Sequence, residues 1–176
     1  MTVDPPDHSS RVAVVVMGVS GSGKTTVGER LAERLGVVFV DGDDLHTPAA
    51  RAKMGSGLPL DDADRWPWLD RIAAALADPA ASGGAVVACS ALKRAYRNRL
   101  RAGVGPTLRF VYLDADRDLM RARVAGRRDH YMPASLVDSQ FAAIEPPVGE
   151  RDVIAIAADA DLQNEIPKLV AELKRG

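Results

Sequence analysis

The stretch VAVVVMGVSGSGKTTVGERLAERL, residues 12–35, decides the fold. Residues 12–17 are an uninterrupted apolar run of the kind that forms a strand buried on both faces, and Val27, Leu31 and Leu35 then fall at helical spacing. Between them GVSGSGKT, residues 18–25, fits the pattern G-x-x-x-x-G-K-[ST] in the strand-then-helix setting that the pattern needs. The glycines let the backbone curl so that successive N–H groups point inward at phosphate oxygens, and the helix N-terminus adds positive potential. Lys24 is expected to reach the β- and γ-phosphates and Thr25 to ligate Mg²⁺, with Gly18, Ser20, Gly21, Ser22, Gly23 and Thr26 completing the nucleotide site. A plain glycine-rich turn would explain the glycines alone, but here both flanks agree with the octet. The expected donor is therefore a nucleoside triphosphate, and the open question is what receives its phosphate.

With 176 residues the chain suits one α/β domain with a core of its own. Its formal net charge is −1, so no global field holds DNA, RNA or an anionic membrane, and any bound anion has to meet a local cluster of cations. A single cysteine, Cys89, permits no internal disulfide and fits a reducing compartment, for which the cytoplasm is the expectation. Residues 1–10, MTVDPPDHSS, lack the apolar block of a signal peptide and read as a short disordered tail. No apolar run approaches membrane-spanning length.

Working outward from the octet, Gly36 is placed to close the first helix, and VVFV (37–40) is a second buried strand running into DGDDLH (41–46). Polar residues at the carboxyl end of a strand in such a sheet lie over the ligand crevice, beside the phosphate loop. A turn with a helix cap would employ one of the three carboxylates and leave the others unexplained. A short helix follows with Thr47 as cap and Pro48 in its first turn, closing at Gly55 or Gly57. A second begins near residues 61–64 and runs to about 78, with Pro67 placed early and Trp66, Trp68, Leu69, Ile72 and Leu76 as core. AVVACS (85–90) is the third strand, with Cys89 an ordinary small core residue. It ends without an acid, which leaves Asp41 as the candidate to hold Mg²⁺ through water. A helix over 91–102 carries Lys93 and Arg97 at i,i+4, sharing one face near the ligand edge and suited to an anionic substrate. LRFVYL (108–113) is the fourth strand. Residues 114–118 cap a helix bearing Arg121, Arg123, Arg127 and Arg128, which reads as a lid over phosphates, about 121–140. A helix over 133–144, a fifth strand over 153–157 and a closing helix over 165–174, with Pro167 in its first turn, complete the chain. The expected architecture is a three-layer α/β P-loop NTPase fold: a five-stranded parallel sheet flanked by helices, with a helical lid, as a single domain over 11–176.

Taken together, MGVSGSGKT, DGDDLH, KMGSGLPLDDADRWPWL, CSALKRAYR and HYMPASLVDSQFAAIEP resemble the gluconokinase family of small phosphate-loop kinases, from about residue 12 to 173. Only the first motif is shared by phosphate-loop proteins at large. The resemblance implies ATP-dependent phosphorylation of D-gluconate on its 6-hydroxyl, a fold similar to shikimate and adenylate kinases, and a homodimer. The residues agree with such a substrate, because a carboxylate attached to a row of hydroxyls needs cations at one end and hydrogen-bonding groups at the other. Arg65, Lys93, Lys53 and Arg97 are the candidates for the first task, and Asp43, His46 and Ser90 for the second. Asp43 is assigned as the base that orients the attacking hydroxyl and Asp41 as the holder of metal-bound water, two roles that the sequence alone leaves interchangeable. Arg123 and Arg127 are the foremost lid arginines for the transferring phosphoryl.

Two other readings stand beside this one. A kinase for shikimate or a nucleoside monophosphate is compatible with the same fold. A regulatory nucleotide-binding module would give DGDDLH and SALKRAYR no purpose, and the N-K-x-D signature of guanine-selecting switches is absent.

Overall fold

The computed structural model describes residues 11–78, 80–81, 83–126 and 134–175. Its five strands, β1 (Val12–Met17), β2 (Val38–Asp41), β3 (Gly84–Ala88), β4 (Leu108–Asp114) and β5 (Val153–Ala157), form one sheet in the order β2-β3-β1-β4-β5. Every neighbouring pair is parallel. The helices are α1 (Lys24–Leu35), α2 (Pro48–Gly55), α3 (Asp62–Ala77), α4 (Arg94–Val104), α5 (Arg117–Ala125), α6 (Ala134–Ala143) and α7 (Leu162–Leu173). The three-layer α/β expectation holds.

Central β1 divides its side chains between two cores, as the period of two along a strand dictates. Ala13, Val15 and Met17 pack with Leu69, Ile72 and Leu100 of α3 and α4, while Val14 and Val16 pack with Val27, Leu31, Ile166 and Leu169 of α1 and α7. The sheet adds β3 and then β2 on one side of β1, and β4 and then β5 on the other. Chain direction around the sheet therefore reverses at β1, and the crevice beyond its carboxyl end is where such a sheet binds ligands. The loop carrying the octet leaves β1 at that point.

Several boundaries differ from the sequence reading. The last helix starts at Leu162, capped by Asp161, so Pro167 lies beyond its first turn, and Pro67 lies equally deep in α3. Each proline removes a helical N–H, but the carbonyls left without a donor belong to Ala63 and Gln163, both exposed, where water replaces the missing bond. Strand β3 ends at Ala88, and α4 begins only at Arg94 with Lys93 as its N-cap. Residues 89–93 therefore form a connection over the crevice, where the sequence reading has the end of a strand and a first helical turn.

Candidate active site

The octet forms the expected curl. Gly23 caps α1 in the left-handed region, at φ 96°, with nothing within 4 Å of where a Cβ would stand, so glycine is required by conformation here and not by crowding. Lys24 opens the helix, and its Nζ donates to the Val19 carbonyl at 3.1 Å, which folds the ammonium back over the loop. Ser22 Oγ is buried without a hydrogen-bond partner. A buried polar atom of this kind, inside an array of backbone N–H groups, suits an oxygen-rich anionic guest.

Asp41 is the last residue of β2, and residues 42–45 turn in a short 3-10 helix. A Cβ on Gly42 would stand 2.4 Å from the Ala88 carbonyl, so only glycine lets this turn lie against the end of β3. Asp41 Oδ1 accepts from the Asp43 N–H at 3.0 Å, the capping contact that Asp-Gly sequences favour. Asp43 itself stays 84% exposed. Behind the turn, Trp68 Nε1 donates to the Gly42 carbonyl at 2.7 Å, and the His46 ring stacks on Trp68 at 4.4 Å between centroids. Burial pushes the His46 imidazole below its ordinary value, against the pull of Asp43, so it is neutral at pH 7. Its Nε2 lies 3.9 Å from Asp43 Oδ1.

These pieces converge. Lys24, Thr25, Thr26, Asp41, Asp43 and Val124 line one cleft of about 280 Å³ together with Ser20, Gly21 and Gly23. Among the described residues no group of three His, Cys, Asp or Glu side chains is placed to hold a metal ion unaided. Thr25 and Asp41, which offer a hydroxyl and a carboxylate in this cleft, are the residues that would hold a divalent ion brought in with a polyphosphate.

Between α3 and the start of α4, the Lys93 ammonium meets Asp62 at 2.9 and 3.2 Å, and the Tyr96 hydroxyl donates to the same carboxylate at 2.5 Å. Arg65 Nη1 donates to Tyr96 Oη at 3.1 Å and stands 3.9 Å from Asp62. The hydrogen bonds from Tyr96 and then Lys93 hold the Asp62 carboxyl below its usual range, and the bond to Asp62 raises Lys93 in turn. Arg65 and Lys93 are thus brought together, about a third exposed, with a counter-carboxylate already beside them. Lys53 is tied to Asp64 at 2.5 Å and to Asp61 at 3.5 Å. The Ser90 carbonyl accepts from Gly18 N–H at 3.3 Å, linking the 89–93 connection to the phosphate loop.

Arg97 departs from its expected role as a substrate ligand. It is 1% exposed, and its donors go to Glu150 (2.6 and 3.0 Å), to the carbonyls of Ala91 and Leu92, and to that of Glu145. The i,i+4 argument places Lys93 on a helical face, but Lys93 lies outside the helix, so the two cations do not share one. Cys89 is buried as expected, which pushes its thiol up to about 12.

Arg123 stands apart from the Asp41–Asp43 cleft. Its Nη1 points to the Gly21 and Ala158 carbonyls at 3.5 and 3.3 Å, and it lines a second cleft of about 250 Å³ with Thr26, Ile156, Asp159 and Leu162. Thr26 borders both clefts. Arg127 lies outside the described residues. α5 and α6 are held together by a two-point pair, Arg121 Nε and Nη2 to Asp138 at 2.9 and 2.7 Å.

The AAA domain family matches residues 14–147. The chain is 48% identical over 147 residues to a gluconokinase of Gluconobacter oxydans, covering 83% of this chain and 82% of that one. The chain belongs to the gluconokinase family. A probable gluconokinase of Schizosaccharomyces pombe is 42% identical over 164 residues, covering 89% of this chain and 85% of its own. A gluconokinase crystal structure from Sinorhizobium meliloti superposes with a TM-score of 0.83 at 42% identity, covering 94% and 93% of the two chains. Asp62, Tyr96 and Gln140, which the sequence reading leaves out, and Trp68, which it places in the core, are brought by the structure against Lys93, Arg65, Ser20 and the turn over 41–46. Asp62 and Tyr96 sit in the same motifs as Arg65 and Lys93, so the signal was present, but nothing in the sequence pairs them.

Proposed function

We propose that this chain transfers the γ-phosphoryl group of ATP to the 6-hydroxyl of D-gluconate, giving 6-phospho-D-gluconate. The observation that carries this is the shared cleft, in a member of the gluconokinase family, that is lined by Lys24, Thr25, Asp41 and Asp43 together. The second cleft, beside Arg123, is assigned to the nucleoside of ATP, since it adjoins the phosphate loop through Ser22, Gly23 and Thr26.

Asp43, exposed into the first cleft and backed by the His46–Trp68 stack, orients the attacking hydroxyl and accepts its proton. Asp41 and Thr25 line the same cleft. Mg²⁺ supplies charge neutralisation on the phosphates, and those two residues would hold it. Lys24 and the lid arginines Arg123 and Arg127 offset the remaining phosphate charge. Transfer through a loose transition state asks mainly for positioning and electrostatics, which such a constellation provides. Arg65, Lys93 and Lys53 receive the carboxylate of the sugar acid, with His46 and Ser90 around the hydroxyls. The same reading carries a single kinase domain over 11–176 behind a short tail, a homodimer, and a cytoplasmic setting.

A coupled assay with ATP and Mg²⁺ tests the proposal: gluconate should release ADP, whereas shikimate and nucleoside monophosphates should not. No turnover with gluconate, or turnover with one of the others in its place, overturns it. Asp43→Asn should lower kcat by about 10²-fold or more while leaving ATP affinity near normal. A change confined to ATP binding would remove Asp43 as the base. Arg65→Ala should raise the KM for gluconate roughly 10- to 100-fold, the weight of a hydrogen bond to a charged group. An unaltered KM with a lower melting temperature would make Arg65 structural.

A further inference from the structure

Gln140 lies in the DSQF stretch, which no step above employs. Its carboxamide oxygen accepts from the Ser20 N–H at 2.5 Å, and its nitrogen donates to Ser20 Oγ at 3.0 Å. Both ends of one carboxamide are therefore engaged by one residue, which fixes the orientation of the Ser20 peptide as a single bond would not. Ser20 is the residue just before Gly21, and it lines the cleft together with Lys24 and Asp43. Other ties on this loop include Ser22 N–H to the Val19 carbonyl at 3.2 Å, Lys24 Nζ to the same oxygen, and Arg123 Nη1 to the Gly21 carbonyl at 3.5 Å. Val137, one helical turn before Gln140, is fully buried in a cluster with Val19, Met120 and Val124, so the same face of α6 grips the loop by an apolar and a polar contact. α6 is in turn latched to α5 through Asp138 and Arg121.

We propose that Gln140 is a positioning residue for the phosphoryl donor: it sets the Ser20 peptide so that the N–H groups that follow stay curled around the phosphates. The inference rests on the reading of residues 18–25 as the donor site and is independent of which acceptor the enzyme uses. Without the carboxamide, the loop has more conformations to lose when nucleotide binds, and this lowers affinity with no loss of direct contact to the ligand.

Two variants test this on the full chain. Gln140→Leu keeps the volume and deletes both hydrogen bonds. Gln140→Glu keeps an acceptor for the Ser20 N–H, and the serine hydroxyl can reverse to donate to it, but a negative charge is added beside the phosphates. Calorimetric titration with a non-hydrolysable ATP analogue, without acceptor, should give roughly tenfold weaker binding for Gln140→Leu, the effect of two neutral hydrogen bonds. Gln140→Glu should also bind more weakly, by a factor that shrinks as salt is raised, while melting no lower than Gln140→Leu. In turnover, the KM for ATP should rise in both variants, with the KM for gluconate within twofold of wild type. Wild-type nucleotide affinity in Gln140→Leu overturns the proposal, as does a parallel rise of both KM values accompanied by a falling melting temperature. If the wild-type protein binds the analogue yet phosphorylates no gluconate, the proposed function falls and the role of Gln140 is still decided by the titration.

Discussion

Lys24→Ala is expected to lower kcat by about 10³-fold or more, on the order of what an arginine finger contributes to a transferring phosphoryl group. The surroundings explain why so much rests on one ammonium. The cleft assigned above to the γ-phosphate is also lined by Asp41 and Asp43. A polyphosphate brought beside two carboxylates is repelled unless a cation lies between them, and in a partly enclosed site that repulsion is weakly screened. Lys24 is anchored for the task, since its Nζ rests on the Val19 carbonyl across the curl of the loop. Lys24→Arg should restore little, because a planar fork does not replace a compact charge in that position. The measurement is single-turnover transfer at saturating ATP, alongside ADP affinity and melting temperature. Near-normal kcat in Lys24→Ala would remove the phosphate-loop role, and a collapse of melting temperature would assign the loss to folding.

How far the sequence reached can be judged at particular residues. The octet, DGDDLH and the buried strands were legible because each is local: apolar runs set the sheet, and the acids at the end of β2 had to lie over the crevice once the strand was placed. What failed was long-range pairing. The i,i+4 spacing from Lys93 near the ligand edge marks Arg97 as a substrate cation, whereas its partner Glu150 is fifty-three residues away. Gln140 was passed over for the same reason, since Ser20 is 120 residues distant. The proline misplacements were a matter of phase. Asp161 caps its helix three residues earlier than Glu165 suggested, and exposed carbonyls made deep prolines tolerable. DGDDLH shows the opposite case, in which two readings hold together: Asp41 is a cap, and Asp43 remains open to the cleft.

Arg97→Met is expected to destabilise the fold by about 3–5 kcal/mol, because it strands a buried charge. Glu150 is 3% exposed and takes both a two-point fork from Arg97 and a 2.5 Å contact from Arg101, which also binds Asp152 at 2.7 Å. Removing one guanidinium leaves the carboxylate half-compensated and the Ala91, Leu92 and Glu145 carbonyls without their donor. The melting temperature should fall by roughly 6–20 °C for a chain of this size. The pH dependence follows from the same pair. Burial pushes the Glu150 carboxyl upward, but the hydrogen bonds from Arg97 and Arg101 outweigh it and carry the pKa from 4.5 down to about 2. A depressed carboxyl stabilises the fold fully above its unfolded value, so this contribution, on the order of 3 kcal/mol, is present above about pH 4.5 and lost as the pH falls toward 2. In Arg97→Met that acid-sensitive component should shrink, which denaturant titrations at pH 7 and pH 3.5 would reveal. The KM for gluconate, measured well below the melting transition, should stay within twofold of wild type. An unchanged melting temperature together with a raised KM would return Arg97 to the substrate site and overturn its role as the bolt between α4 and the segment leading into β5.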